Sequence, residues 1–313
     1  MNLPDLDKDP RLARVVRLAL EEDVGDGDAT TDAFVPADVR AEGEILTRED
    51  CRVAGVAVAR AVFDAVSPGM SFEVLVADGR DAAAGQGILR FEGPARAILI
   101  AERTALNFMQ RMCGIATMTR SFTSMVADLG TQILDTRKTT PGLRFLEKYA
   151  VLCGGGTNHR FGLFDRILMK DNHRALWRGA DGSRLDLAVK EARRRRPDLQ
   201  VEIEVETIEE LECALRGGPD WIMLDNMDCA TMRRAVAIVA GKAKLEASGG
   251  ITAANLRKVA ETGVDAVSLG CLTHSVRSID LSLEWHSNDA EKKVFLKKKT
   301  KSGIIRNCDL GEN

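Results

Sequence analysis

Two hydrophobic rhythms divide the chain. Up to about residue 110 the period changes repeatedly: a helical repeat near 11–22, strand-like runs around 39–48, 71–77 and 87–92, and a helical VAVARAVFDAV between the first two strands. A long helical stretch, ARAILIAERTALNFMQRM, then leads through Gly114 into ATMTRSFTSMVADLG. From 131 onward the rhythm is strand, turn, helix, repeated. The strands are TQILDT, RILMK, VEIEVE, WIMLD, KLEAS and AVSLG, and helical segments lie at 183–196, 207–216, 229–240 and 252–262. Thr207 with Glu210 makes a capping box, Asp228 caps the next helix, and Gly263 follows a helix end. Short buried strands alternating with helices call for a parallel sheet with right-handed crossovers. At least five such units in a row favour a barrel over an open sheet, although periodicity alone permits both.

Composition narrows the function more than the fold. Apolar residues make up 45% and charged residues 29% of the 313, as in an ordinary soluble enzyme. A net charge of −3, with ten Phe, three Trp and one Tyr, offers neither a general attraction to polyanions nor a stacking surface for nucleic acid. Any anion site must be local. No run reaches the roughly 20 apolar residues that span a bilayer, and the polar start MNLPDLDKDP is no signal peptide. Cys51, Cys113, Cys153, Cys213, Cys229, Cys271 and Cys308 are scattered and form no C-x-x-C pair, so neither a disulfide framework nor a zinc site is expected. The expectation is a reduced, cytoplasmic protein with no membrane or nucleic-acid partner.

Nearly every strand of the second half ends on a polar or anion-binding residue: Asp135 to Lys138, Lys170, Glu204 and Glu206, Asp225, Ser248 and Gly270. In an α/β barrel these ends converge on one face. Between 135 and 174 eight Arg and Lys residues face four acids, and Arg137, Lys138, His159, Arg160 and Lys170 fall at strand ends or in glycine-rich turns. Arg grips a carboxylate or phosphate in a bidentate way, and Lys supplies a compact charge. Arg144, Lys148, Arg166 and Arg174 read as a solvated basic face, and Arg193 to Arg196 as a solvated helix end. CGGGTNHR, EASGGI and SLGCLT are turns where backbone amides can approach an anion, and the last two lie across one strand from each other. VEIEVE puts Glu202, Glu204 and Glu206 on one strand face. A facing Glu204 and Asp225 can bind ribose hydroxyls and Mg²⁺, while Glu202 is the glutamate expected to pair with the cations.

Several segments, as they stand, resemble the quinolinate phosphoribosyltransferase family. They are EDVGDGDATTD, ERTALNFMQRMCGIAT, the block DTRKTTPGLRFLEKYAVLCGGGTNHRFGLFDRILMKDNH at 135–173, VEIEVE, IMLDN, EASGGIT and VDAVSLGCLTHSVRSIDLSLEW. The likeness runs from about residue 10 to 285. It implies an incomplete TIM-like α/β barrel with an N-terminal α/β sandwich domain, divided at 1–112, 113–280 and a C-terminal segment 281–313. It further implies a homodimer with shared sites, possible higher oligomers aside, and phosphoribosyl pyrophosphate with Mg²⁺ as co-substrate. By the resemblance Arg137, His159 and Arg160, with Arg103 of a neighbouring subunit, hold the two carboxylates of quinolinate. Lys138, Thr139 and Lys170 face phosphoribosyl pyrophosphate, Glu204 and Asp225 the ribose and Mg²⁺, and Ser248, Gly249, Gly250, Leu269 and Gly270 the 5′-phosphate. A related transferase for another base and a non-catalytic anion-binding barrel are the competing readings. The Lys-rich segment 286–313 departs from a family ending and reads as a flexible tail.

Overall fold

The computed structural model describes residues 3–177 and 184–286. The first half contains α1 (Pro10–Val24), α2 (Ala29–Phe34), β1 (Arg40–Thr47), β2 (Cys51–Arg52), α3 (Val56–Val66), β3 (Ser71–Val74), β4 (Asp81–Ala82), β5 (Gly87–Pro94) and α4 (Ala95–Met125). The second contains β6 (Gln132–Leu134), α5 (Arg144–Cys153), β7 (Ile167–Met169), α6 (Asp171–Leu176), α7 (Leu185–Arg195), β8 (Val201–Val205), α8 (Ile208–Leu215), β9 (Trp221–Asp225), α9 (Cys229–Val239), β10 (Lys244–Ser248), α10 (Leu256–Ala260), β11 (Ala266–Ser268), α11 (Cys271–His274) and β12 (Leu281–His286).

The N-terminal layer is an antiparallel sheet in the order β12-β1-β5-β3, with α3 and α4 against it. Along β1 the pleat buries Gly43, Ile45 and Thr47 and leaves Glu42 and Glu44 half-exposed, the one-sided pattern of a sheet covered on a single face. α4 does not break at Gly114. It runs 31 residues, about 46 Å, and the expected boundary at 112/113 lies inside it. Gly114 serves close packing instead: a Cβ there would strike the Arg277 carbonyl oxygen. The segment after the barrel thereby crosses α4 tightly, and β12 returns to pair with β1.

The second layer is a six-stranded, all-parallel sheet in the order β6-β11-β10-β9-β8-β7. Sequence neighbours β6 and β7 sit at opposite edges, so the sheet is a barrel with one gap. Thr157 bridges to Leu134 on the β6 side of that gap. The curl is evident from side chains. Glu202 on β8 and Glu246 on β10 are separated by a strand, roughly 9–10 Å in a flat sheet, yet both reach His159 Nε2 within 3.2 Å. Leu134, Trp221 and Ala266 form a small apolar cluster of their own on three strands of this sheet.

Asp228 caps α9 and Thr207 caps α8 through their side chains. α10 is shorter than the expected 252–262. The Asn255 side chain accepts the Thr252 N–H at 2.7 Å and donates to the Gly250 carbonyl at 3.1 Å, holding 250–255 as a turn. The Lys-rich segment lies outside the described residues, except that His286 closes β12. Among the described residues no helix is long and apolar enough to cross a membrane.

Candidate active site

A pocket of about 350 Å³ opens at the C-terminal ends of the barrel strands. Thr136, Arg137 and Lys138 follow β6, His159 and Arg160 come from the gap segment, and Leu168 and Lys170 from β7 and its end. Met223, Glu246, Ser248 and Ser268 complete the wall from β9, β10 and β11. Six residues expected from sequence thus line one cavity. Glu204 joins through its 2.8 Å ion pair with Lys170, and Asp225 lies in register beside Ser248. Gly249 and Gly250 follow directly after β10, both with positive φ. At Gly249 (φ 90°) a Cβ would also strike the Asn226 amide. Thr139 is turned to the scaffold, where its hydroxyl accepts from Arg144 Nε at 2.9 Å. Leu269 is buried and donates its N–H to Leu134 O, so it aims Gly270 and presents no free amide. Arg103 stands exposed on α4, outside the pocket lining. A larger cavity of about 550 Å³ lies between α1, α4 and α5, but its Arg111 is tied to Glu147 at 2.8 Å, so it lacks the free cations of the smaller one.

Apart from Lys170, which pairs with Glu204, the pocket cations are unneutralised. No carboxylate lies within 4.0 Å of Arg137, Lys138 or Arg160 among the described residues, and Arg137 Nε is buried without a hydrogen bond. Burial, and then the neighbouring Arg137 charge, pull Arg160 below the usual guanidinium range. Two guanidiniums held together in a dry wall repel each other until an anion enters.

Four other cations correct the reading from sequence. Arg144, Lys148, Arg166 and Arg174 do not form a solvated face; each is a tether. Lys148 is buried, pairs with buried Asp135 and donates to the His159 carbonyl at 3.0 Å. Asp135 also accepts the His159 N–H at 2.8 Å, so this ion pair pins the His159–Arg160 turn to the end of β6. Arg144 donates to Phe161 O, Arg166 pairs with Glu202 at 3.3 Å, and Arg174 pairs with Glu210. Arg193 to Arg196 are the solvated helix end the sequence suggests.

Beneath the cations lies an acidic floor. His159 Nε2 is 3.1 Å from Glu202 and 3.2 Å from Glu246, both fully buried. Burial alone would lower His159; the two carboxylates outweigh it and raise it to about 9. Burial, and then the charge of Glu202, push Glu246 up, whereas His159 and Arg166 overcome burial and hold Glu202 down. These three side chains offer ligand atoms within 4.8 Å of one another. Arg137, Arg160 and Lys170 line the same pocket and Arg166 pairs with Glu202, a positive field that opposes a divalent ion. Glu204 and Asp225 are the better oxygen pair: burial and the Glu204 charge raise Asp225, as two facing carboxylates should. Glu206 is exposed and takes no part.

Glu246, Ser268 and Thr136 are site residues that sequence reasoning missed. Glu246 was findable, since it stands two residues before Ser248 on the same strand face.

A closing barrel with Arg137, Arg160 and Lys138 free of carboxylate partners at its strand ends, beside glycine turns and a carboxylate pair, suits an enzyme of polyanionic substrates. Comparison with known proteins narrows the class. Residues 28–113 match the model of the quinolinate phosphoribosyl transferase N-terminal domain, and 115–284 that of its C-terminal domain. A chloroplastic nicotinate-nucleotide pyrophosphorylase (carboxylating) of Oryza sativa subsp. japonica is 41% identical over 289 residues, covering 87% of this chain and 77% of the relative. A mitochondrial quinolinate phosphoribosyltransferase (decarboxylating) of Nicotiana glauca is also 41% identical, covering 87% and 82%. The solved nicotinate-nucleotide pyrophosphorylase of Francisella tularensis superposes with a TM-score of 0.83 at 37% identity, over 91% of this chain and 100% of that one. The chain belongs to the quinolinate phosphoribosyltransferase family. It is a decarboxylating phosphoribosyltransferase of NAD biosynthesis, acting on quinolinate and phosphoribosyl pyrophosphate.

Proposed function

We propose that Arg137, His159 and Arg160 receive the two quinolinate carboxylates. Lys138 and Lys170 face the pyrophosphate of the second substrate, and Ser248, Gly249, Gly250 and Gly270 cradle its 5′-phosphate, with Leu269 and Thr139 shaping the adjoining turns. The observation that carries this reading is the set of cations without a carboxylate partner around a cavity sized for small anions. The pyridine nitrogen attacks the sugar carbon as its bond to pyrophosphate breaks, and Lys138 and Lys170 stabilise the departing charge. The ring is then cationic. Carbon dioxide leaves from the carbon beside the nitrogen, the electron pair stays on that carbon, and a proton replaces the carboxylate. Glu204 and Asp225 fit Mg²⁺, since a hard cation favours oxygen donors and would relieve the mutual repulsion of the pair. When bound, it would neutralise pyrophosphate charge.

The functional unit in this reading is a homodimer. Arg103 lies outside its own pocket, and exposed Leu163 (72%), Phe164 (66%) and Leu176 (81%) give the surface apolar area to cover. We place the enzyme in the cytoplasm, a compartment that suits free Cys51, Cys113, Cys153, Cys213, Cys229 and Cys271. The test is product formation with Mg²⁺ and phosphoribosyl pyrophosphate, comparing quinolinate with nicotinate. Nicotinate mononucleotide and carbon dioxide from quinolinate alone are expected. Turnover of nicotinate instead would overturn the assignment of the cations to two carboxylates.

A further inference from the structure

Lys138 is exposed on the turn after β6, where a lysine ordinarily samples many rotamers. Here its stem has a defined seat. A Cβ on Gly270 would lie 3.0 Å from Lys138 Cδ, so the lysine crosses directly over that glycine. Gly270 has a φ of −65°, a value open to any residue, and glycine is needed there for room and not for backbone freedom. The side chain that reaches toward the pyrophosphate thus rests on the turn assigned to the 5′-phosphate.

The Lys138 backbone is tied to that same turn. Thr273, on α11 and fully buried, donates its hydroxyl to the Lys138 carbonyl at 2.7 Å. The Gly270 carbonyl is a second acceptor at 3.3 Å, but a hydroxyl has one proton and the shorter bond takes it. Thr273 is anchored from behind. Arg111 on α4 donates to its carbonyl, and the same guanidinium pairs with buried Glu147 at 2.8 Å. Glu147 accepts the Thr140 N–H at 3.1 Å and the Thr140 hydroxyl at 2.8 Å. One network from α4 and α5 therefore holds both Thr140, two residues beyond Lys138, and Thr273 across from it. Arg137 is held separately, its carbonyl accepting from the Thr139 N–H at 3.0 Å and from Arg144.

We propose that Thr273 is a positioning residue for phosphoribosyl transfer. By joining the β6–α5 turn to the β11–α11 turn it fixes the span between the Lys138 ammonium and the 5′-phosphate cradle. The substrate imposes that span, because its pyrophosphate and its 5′-phosphate hang from one ribose. Charge develops on the leaving pyrophosphate at one place, and a displaced cation stabilises it poorly. The proposal rests on the reading that Lys138 faces the pyrophosphate.

The experiment is a double-mutant cycle of Thr273→Val and Lys138→Ala, with Thr273→Ser as the rescue. Turnover is followed by release of labelled carbon dioxide, which registers weak activity, and each variant is also melted. Thr273→Val should lower kcat about tenfold, roughly the worth of one hydrogen bond, and raise the KM for phosphoribosyl pyrophosphate. The quinolinate KM should not move, because Arg137 has its own supports. Thr273→Ser keeps the donor and should restore most of kcat. Thr273→Ala removes the hydroxyl without placing a methyl in its stead, and carries the same expectation as Thr273→Val. In the Lys138→Ala enzyme, Thr273→Val should change kcat by less than about twofold, since the group it positions is gone. A full tenfold further loss in that background, a Thr273→Ser enzyme as poor as Thr273→Val, or a Thr273→Val enzyme equal to wild type overturns the proposal. Lys138→Ala with unchanged kcat and unchanged KM for phosphoribosyl pyrophosphate instead overturns the underlying placement of Lys138.

Discussion

The ion pair of Asp135 and Lys148 offers a quantitative test of how the site is held. Both side chains are buried, at 0% and 2% exposure, and burial acts against both charges: it raises Asp135 to about 6 and lowers Lys148, despite their contact. For an acid whose folded pKa exceeds the usual 3.8, ionisation opposes folding. Stability falls as pH rises from about 4 to 6, by on the order of 3 kcal/mol, and is level above that. Lys148→Met keeps the volume and removes the partner, leaving a buried carboxylate that still accepts the His159 N–H. Removing one member of a buried pair costs about 3–5 kcal/mol, on the order of 6–20 °C in Tm for a protein of this size. Thermal melts at about pH 7.5 and pH 5 measure it. The loss should be large at the higher pH and much smaller at the lower, where Asp135 takes up a proton. Asp135→Asn combined with Lys148→Met should recover most of the stability, because no charge is then left unpaired. A Lys148→Met loss below about 1 kcal/mol, or one equal at both pH values, would refute the claim that this pair is a desolvated tether.

Arg137→Ala removes an unneutralised cation, so the quinolinate KM should rise about 10- to 100-fold, the worth of a charge-assisted hydrogen bond, in steady-state assays. Gly249→Ala forces a side chain onto a φ of 90° and into Asn226; the KM for phosphoribosyl pyrophosphate should rise while that for quinolinate changes little. Glu204→Gln should lower kcat on the order of 100-fold and weaken activation in a Mg²⁺ titration, and an unchanged titration would remove Glu204 from the metal. Mixing inactive Arg103→Ala and Lys170→Ala chains should restore roughly a quarter of wild-type activity, since half of randomly paired dimers carry one intact site; no recovery would place Arg103 outside the partner's site.

What could be read from the sequence was whatever depends on period and on strand ends. The six parallel strands were visible because each is a short apolar run closed by a polar residue, and Arg137, His159 and Lys170 could be placed at one pocket because barrel topology gathers those ends. What could not be read was which cations already had partners. Lys148 and Arg160 lie in the same charged block, yet one is neutralised by Asp135 from 13 residues earlier and the other has no carboxylate near it. That distinction depends on pairing across strands, which composition does not record. α5 was hidden for a related reason: its turns of helix run through the same block, and its Lys148 and Glu147 are buried by partners and not by hydrophobicity. Glu246 stands inside KLEAS and not at its end, so the strand-end pattern does not mark it, although the inward face of a strand includes every second position.

The two kinds of cation explain how the pocket can be both strongly positive and well ordered. A cluster of free arginines and lysines would repel itself open. Here Lys148 and Arg166 are neutralised and Arg144 is hydrogen-bonded, and Lys148 and Arg144 hold backbone carbonyls of the turns from which Arg137 and Arg160 project. The repulsion between Arg137 and Arg160 is therefore borne by a rigid frame and is relieved only by an anion. Lys170 occupies a third position. In this structure it is spent on Glu204 at 2.8 Å, so it becomes available to a phosphate oxygen only if another positive charge takes its place at that carboxylate. Glu204 thus links the supply of a countercation to the release of Lys170. The full cation set should accordingly assemble only when both the phosphorylated substrate and its accompanying charge are in place.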